Sequence, residues 1–421
     1  MELELAVRRR ITAAMVRKYR KATKAEKAAI LDQLVAVTGW HRDHARKALR
    51  AALAGEAGTV GPAGRRAREP VYRYGPEVIE ALRKVWAVLD GPTGKRLAPI
   101  MGELVDSLRR HGELDIGEEV AAALVSMSAA TIDRRLARDR ASMAMGRGRS
   151  LTKPGSLLKS AIPMRTWADW DEAAPGFLEI DLVGHDGGDL NGEHCFTLTA
   201  TDVATGWTET RTVRNKAEKW VFAALLEIQA QIPFPVRGID SDNGSEFINH
   251  QLLRWCTDNQ ITFTRSRPGN SNDGCHVEQK NWTIARRTVG YWRYDTPREM
   301  GVCNQIWTAL SPLTNLFTPQ QKLISKTRVG AKVAKRYDRA QTPYQRLLAH
   351  PGVLDEIDAE LLAKQFRTIN PAAARREVAD LQRTLLNVVA HKNVTTRAKQ
   401  NAAYLSRAKL DESTTRGSRA S

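Results

Sequence analysis

Three carboxylates stand near the ends of separate short segments: Asp181 in Leu178-Glu179-Ile180-Asp181-Leu182-Val183, Asp242 in Gly238-Ile239-Asp240-Ser241-Asp242-Asn243-Gly244, and Glu278 in Cys275-His276-Val277-Glu278-Gln279-Lys280. Carboxylates are hard oxygen ligands, the kind that hold Mg²⁺ or Mn²⁺. Two such ions about 3.5–4 Å apart activate an attacking oxygen and stabilise a leaving 3′ oxygen in phosphoryl transfer. One divalent-metal site built from Asp181, Asp242 and Glu278 is therefore the chemistry to test. Alternation along a strand puts Glu179, Asp181, Val183 and His185 on one face, so Glu179 competes with Asp181. Asp240 competes with Asp242 in the same way. His185 and His276 flank the acids; a structural or supporting role suits them better than contact with a reacting phosphate. Asp186, Asp189, Asp202 and Asp273 read as loop or turn carboxylates.

The elements around the acids can be read from periodicity. Phe177 to Val183, His194 to Val203 and Trp207 to Val213 alternate with period two, and Ala204-Thr205-Gly206 joins the last two as a hairpin. Ala217 to Ile232 then reads as helix, Val236 to Ser241 as a short buried strand, Ser245 to Asn259 as helix, Ile261 to Arg265 as strand and Cys275 to Val289 as helix. Three antiparallel strands followed by alternating helix and strand predict a ribonuclease-H-like α/β core over 177-296, in which three separate elements could bring their acids together. The loop Pro268-Gly269-Asn270-Ser271-Asn272-Asp273-Gly274 is rich in turn residues and runs into the Glu278 helix. Glu278 is accordingly expected to be poorly placed until DNA and metal fix it.

The remainder of the 421 residues is long enough for further domains. Residues 1-54 read as a helix-turn-helix domain broken at Thr38-Gly39-Trp40, whose second helix presents Arg42, His44, Arg46, Lys47 and Arg50 for DNA. A linker follows at 55-75. Residues 76-140 read as a second helical, helix-turn-helix-like module ending in Arg134 and Arg135, and 141-176 as a basic linker. Residues 297-394 read as a basic, mainly helical C-terminal region, with a cationic run from Lys322 to Arg339, and 395-421 as a flexible basic tail. The expected fold class is thus multidomain: all-α modules, a central α/β core and a mostly helical C-terminal region.

Lys and Arg number 65 against 47 Asp and Glu, a formal charge of +18 that suits a polyanionic partner, nucleic acid first. Four cysteines without a close pair argue against a disulfide framework or a cysteine zinc site. Arg8-Arg9-Arg10 is not followed by the apolar core of a signal peptide, and no apolar run reaches the length of a membrane span, so a cytoplasmic, nucleoid-associated protein is expected.

The words Ser241-Asp242-Asn243-Gly244-Ser245-Glu246-Phe247 and Asn272-Asp273-Gly274-Cys275-His276-Val277-Glu278-Gln279-Lys280-Asn281 resemble the second and third acidic motifs of the DDE integrase/transposase superfamily, and 177-296 resembles the integrase catalytic core of bacterial insertion-sequence transposases. The resemblance implies that Asp181, Asp242 and Glu278 hold two Mg²⁺ or Mn²⁺ ions. It also implies that water nicks the DNA at element ends and that the 3′-hydroxyl then attacks target DNA. The partners it implies are double-stranded DNA and further copies of the chain, a dimer or larger on paired ends. Where integrases commonly carry basic residues beyond the glutamate, this chain has Trp282 and Ala285, so Lys280, Arg286, Arg287 or stacking on Trp282 is expected to grip the DNA end, with Arg265 and Arg267 also in contact. A DNA-binding regulator with an inactive fold and a hydrolytic nuclease of the same fold are the alternatives.

Overall fold

Helix formation near the N-terminus follows local signals. The computed structural model describes residues 4–56, 74–143, 174–242, 244, 246–247, 249–265, 275–329 and 332–392, which divide between two compact units, 1–73 and 74–421. In the first unit, Leu5–Lys21 (α1), Lys24–Thr38 (α2) and Arg42–Glu56 (α3) enclose a small core of Val16, Leu31, Leu34, Ala45 and Leu49. A reciprocal capping box between Thr23 and Glu26 starts α2. Gly39, at φ 66°, ends it in the left-handed conformation that glycine adopts without steric cost. Helices thus stand on either side of the Gly39 turn. α1 was not expected, yet it contributes Thr12 and Val16 to the interior, which two helices alone could not enclose.

In the second unit, Pro76–Val88 (α4), Gly94–Leu97 (α5), Met101–Arg110 (α6), Glu118–Val125 (α7), Ala129–Arg135 (α8) and Ala137–Met143 (α9) precede the sheet. The sheet strands are Phe177–Gly184 (β1), Phe196–Asp202 (β2), Thr208–Val213 (β3), Gly238–Ser241 (β4) and Thr262–Arg265 (β5), in the order β3-β2-β1-β4-β5. β1, β2 and β3 pair antiparallel, while β4 and β5 run parallel to β1. Glu218–Gln229 (α10) and His250–Asp258 (α11) place Val221, Leu225, Ile228, Leu252 and Cys256 in one core with Leu178, Ile180, Leu198, Ile239 and Phe263. α11 starts later than the periodicity suggests, because Asn249 caps it by accepting the Leu252 N–H at 2.8 Å.

The other sheet face is polar, with Thr197, Thr199, Thr201, Thr208, Thr210 and Thr212 all buried. Over it lie Cys275–Lys280 (α12), a π-helical stretch Asn281–Arg286, Arg287–Val289 (α13) and Pro297–Pro312 (α14). α14 continues as a π-helical turn through Leu313–Phe317. Edge strands leave backbone groups unpaired. Here Asn304 and Asn315 each accept a backbone N–H and donate to the C=O of the same residue, Thr212 and Thr208 respectively, at 2.7–3.0 Å.

Leu82, Trp86, Leu97, Leu104 and Leu124 share their core with the sheet and with Tyr344 and Leu362, so the segment 141–176 does not separate two cores. The apolar surface of these short helices needs that partner to be buried. Within the mainly helical C-terminal region the basic run beyond Lys322 forms a hairpin: Leu323–Val329 (β6) pairs antiparallel with Lys332–Tyr337 (β7). Val329, Val333 and Tyr337 favour extended backbone. The chain then forms Pro343–Leu348 (α15), Glu356–Thr368 (α16) and a helix over 371–392 (α17). No described helix is long and apolar enough to cross a membrane.

Candidate active site

Asp181 sits in the middle of β1, opposite Thr199 of β2, and its neighbour Ile180 pairs with Ser241, the last residue of β4. The parallel register therefore delivers Asp242 beside Asp181 as the chain leaves the sheet. The helix α12 runs along the same strand: the Val277 N–H donates to Glu179 Oε2 at 3.1 Å, Asn281 Nδ2 to Asp181 Oδ2 at 2.6 Å, and Arg286 Nη2 to the Gly184 carbonyl at 2.7 Å. Asp181 also accepts the Leu182 N–H at 2.8 Å, and Asp242 accepts the Gly244 N–H at 2.9 Å in a tight turn.

The competing acids have separate occupations. Glu179 and Asp240 are each 1% exposed. Glu179 caps the first turn of α12, where negative charge is favourable, and Asp240 accepts the Thr264 hydroxyl at 2.6 Å. Asp181 is half-buried, while Asp242 and Glu278 are exposed. Burial, then the charges of Asp242 and Glu278, push the Asp181 carboxyl up to about 7. Asp242 reaches solvent yet is desolvated enough by the surrounding cleft to be raised, with Glu246 adding to the effect and Lys216 opposing it. Glu278 is raised by burial and by Glu179. Like charges thus repel where Asp181 meets Asp242 and Glu278, a condition that a hard cation relieves. Among the described residues, however, no group of three or more Asp, Glu, His or Cys is close enough to hold an ion.

Several of the cations expected at DNA are buried or engaged by other parts of the chain. Lys280 is 7% exposed and directs its ammonium at the Gly206 carbonyl, 3.5 Å away. Burial, then Arg96, Arg346 and Lys322, bring its pKa down to about 7. Arg265 is buried at the end of β5. Arg286 is half-buried and lies over the Tyr291 ring, and Arg287 forms an ion pair with Asp90 at 2.7 Å, joining its helix to the α4 side of the unit. The reason is the line of α12 along β1, which turns positions 280 and 286 inward. Trp282 does face outward, 59% exposed. In the first unit Arg42, His44, Lys47 and Arg50 are exposed on α3 and Arg46 is half-buried, with Arg42 paired to Asp32 and Arg46 to Asp43. On α8, Arg134 is exposed and Arg135 half-buried. Arg267, the 268–274 loop and the His276 side chain lie outside the described residues.

His185 is fully buried, bonds Thr197 at 2.7 Å, and is pushed down to about 3 by burial, Arg286 and His194. Burial and the neighbouring Arg286 favour its neutral form. Cys195, Cys256 and Cys303 are buried free thiols. Asn281 was missed as a candidate. Its position three residues after Glu278 puts both on one helix face, and that spacing was a legible signal.

Residues 171–271 match the family model described as "Integrase core domain". A curated protein of Sinorhizobium fredii (strain NBRC 101917 / NGR234), "Uncharacterized protein y4rM", is 39% identical over 344 residues, which cover 82% of this chain and 96% of that protein. This chain belongs to the DDE integrase/transposase superfamily. Superfamily membership makes it one of the enzymes of DNA integration and transposition, built on a ribonuclease-H-like core. Within that superfamily, two solved structures are similar to part of the chain. The catalytic core domain of BIV integrase is 20% identical, covering 41% of this chain and 94% of its own, with a TM-score of 0.26. The HTLV-2 integrase catalytic core domain, solved in complex with magnesium in a dimeric form, is 13% identical, covering 35% and 90%, with a TM-score of 0.26. The integrase-core match contains Asp181 and Asp242 and ends before Glu278.

Proposed function

We propose that the protein is a DDE transposase that binds transposon end DNA, cleaves it by metal-dependent hydrolysis and joins the 3′-hydroxyl ends to target DNA. The observation carrying this reading is the convergence of Asp181 and Asp242 at adjoining strands beneath the helix of Glu278. These three acids offer hard oxygen donors whose mutual repulsion suits divalent metal, and Mg²⁺ or Mn²⁺, two ions per site, would activate water and stabilise the leaving 3′ oxygen. Asp181 is the most firmly oriented of the three, held by the Leu182 N–H and by Asn281. Asp242 is turned out of the sheet by its bond to Gly244. Glu278 completes the set when its helix end settles against the DNA.

The exposed cations of α3 read end DNA in this scheme, with Arg134 and Arg135 on α8 and Arg267 adding contacts. Trp282 stacks on an unpaired base at the DNA end. The chain acts as a dimer or larger assembly on paired ends. Incubating the purified protein with Mg²⁺, its own element ends and a target plasmid tests the proposal, with joined 3′ ends as the expected product. Cutting without joining leaves only a nuclease. Asp242→Asn should lose both steps and keep end binding; retained cleavage means that other acids do the chemistry.

A further inference from the structure

Described side chains on both faces of the hairpin β6–β7 reach solvent. Every one of its described side chains is exposed, among them Leu323, Ile324, Val333 and Tyr337 at 44–58%. Its charged residues are Lys326, Arg328, Lys332, Lys335 and Arg336, with no acid. The register sets Lys326 directly opposite Lys335, and like charges at cross-strand positions are destabilising. A two-stranded ribbon is marginal by itself in water, and this one carries five cations and no acid.

Its root, by contrast, is firmly tied. The Lys322 N–H donates to Asp338 at 2.7 Å, the Asp338 N–H donates to the Lys322 carbonyl at 3.0 Å, and Arg346 pairs with Asp338 at 2.6 Å. Lys322 Nζ also donates to the Val203 carbonyl at 2.7 Å. The next turn residues complete the link to the acids. Gly206 O receives Gln320 Nε2 at 3.4 Å and Lys280 Nζ at 3.5 Å, so the ribbon is rooted on the turn that also receives the Glu278 helix.

We propose that β6–β7 is a DNA-gripping arm that lies in the major groove of duplex DNA entering the site of Asp181, Asp242 and Glu278. The inference rests on the reading of DNA as the substrate. A major groove about 12 Å wide admits a two-stranded β-ribbon, and flanking phosphates would neutralise the opposed lysines.

The test uses the full chain carrying Asp242→Asn, in EDTA, so that binding is read without catalysis. Binding to a duplex of unrelated sequence is followed by fluorescence anisotropy between about 50 and 200 mM salt. The triple change Lys326→Ala, Arg328→Ala and Lys335→Ala should weaken binding roughly tenfold or more and lower the salt slope by about 2–3, since each lost phosphate contact removes about 0.9. Lys326→Arg with Lys335→Arg should keep both affinity and slope, which separates lost charge from a lost fold. An unchanged slope in the triple variant overturns the arm. So does a shift from dimer to monomer in sedimentation without a change in slope, which would make the hairpin a subunit contact. Loss of single-strand binding with duplex binding intact overturns it too. If the wild-type chain never cuts or joins DNA, the transposase reading fails while a changed slope still supports the arm.

Discussion

Glu209 provides a measurable test of how the sheet edge is built. It is 3% exposed, and its Oε1 accepts from Ser311 Oγ at 2.8 Å, Trp207 Nε1 at 3.0 Å and Asn315 Nδ2 at 3.1 Å. Burial pushes its carboxyl up from 4.5 to about 7, although Ser311, Trp207 and Arg211 pull the other way. Between these values the folded chain keeps a proton that the unfolded chain has released. Stability from this group is therefore full below pH 4.5, falls as pH rises, and levels off above about 7. At about 1.4 kcal/mol per pH unit the whole loss is on the order of 3–4 kcal/mol. Glu209→Gln keeps the oxygen acceptor and cannot ionise, so it should remove this slope. Urea midpoints followed by circular dichroism at pH 4.5, 6 and 8, wild type against variant, measure it, because other titrating groups cancel in the difference. Parallel pH profiles for the two proteins would refute the reasoning.

Asn281→Ala should reduce cleavage roughly tenfold to a hundredfold, the worth of a hydrogen bond to a charged group, while end binding in anisotropy stays unchanged. An undiminished rate would mean that Asp181 needs no such support. Lys392 ties α17 to the start of α14, bridging Asp295 at 3.0 Å and the fully buried Glu299 at 2.7 Å. Lys392→Met should therefore cost about 2 kcal/mol by stranding Glu299, read as a lower thermal midpoint, whereas Lys392→Arg should recover most of it. Asn315→Leu removes the partners of the Thr208 N–H and C=O and should cost about 2–3 kcal/mol in urea unfolding. A stable variant would show that this edge tolerates exposure.

Sequence alone determined the order of strands and helices in the core. Alternation at 177–183 and 207–213, the hairpin at Ala204-Thr205-Gly206, and the caps at Thr23, Thr296 and Thr342 are local signals, carried by neighbouring residues and the backbone. The acidic words around Asp242 and Glu278 pointed to the superfamily for the same reason. What needed tertiary structure was everything that depends on which face a residue turns. Periodicity left Glu179 against Asp181 and Asp240 against Asp242 open, because residues two apart on a strand share a face. The fold treats them differently: the α12 helix and Thr264 cover Glu179 and Asp240, while Asp181 is half-buried and Asp242 and Glu278 reach solvent. Lys280 looked like a surface cation and is internal, because the line of its helix along β1 is set by contacts about a hundred residues away in sequence. The β6–β7 hairpin escaped notice because composition registered its charge and missed its pairing. Charge is a property of the residues, whereas pairing is decided by what each strand finds beside it.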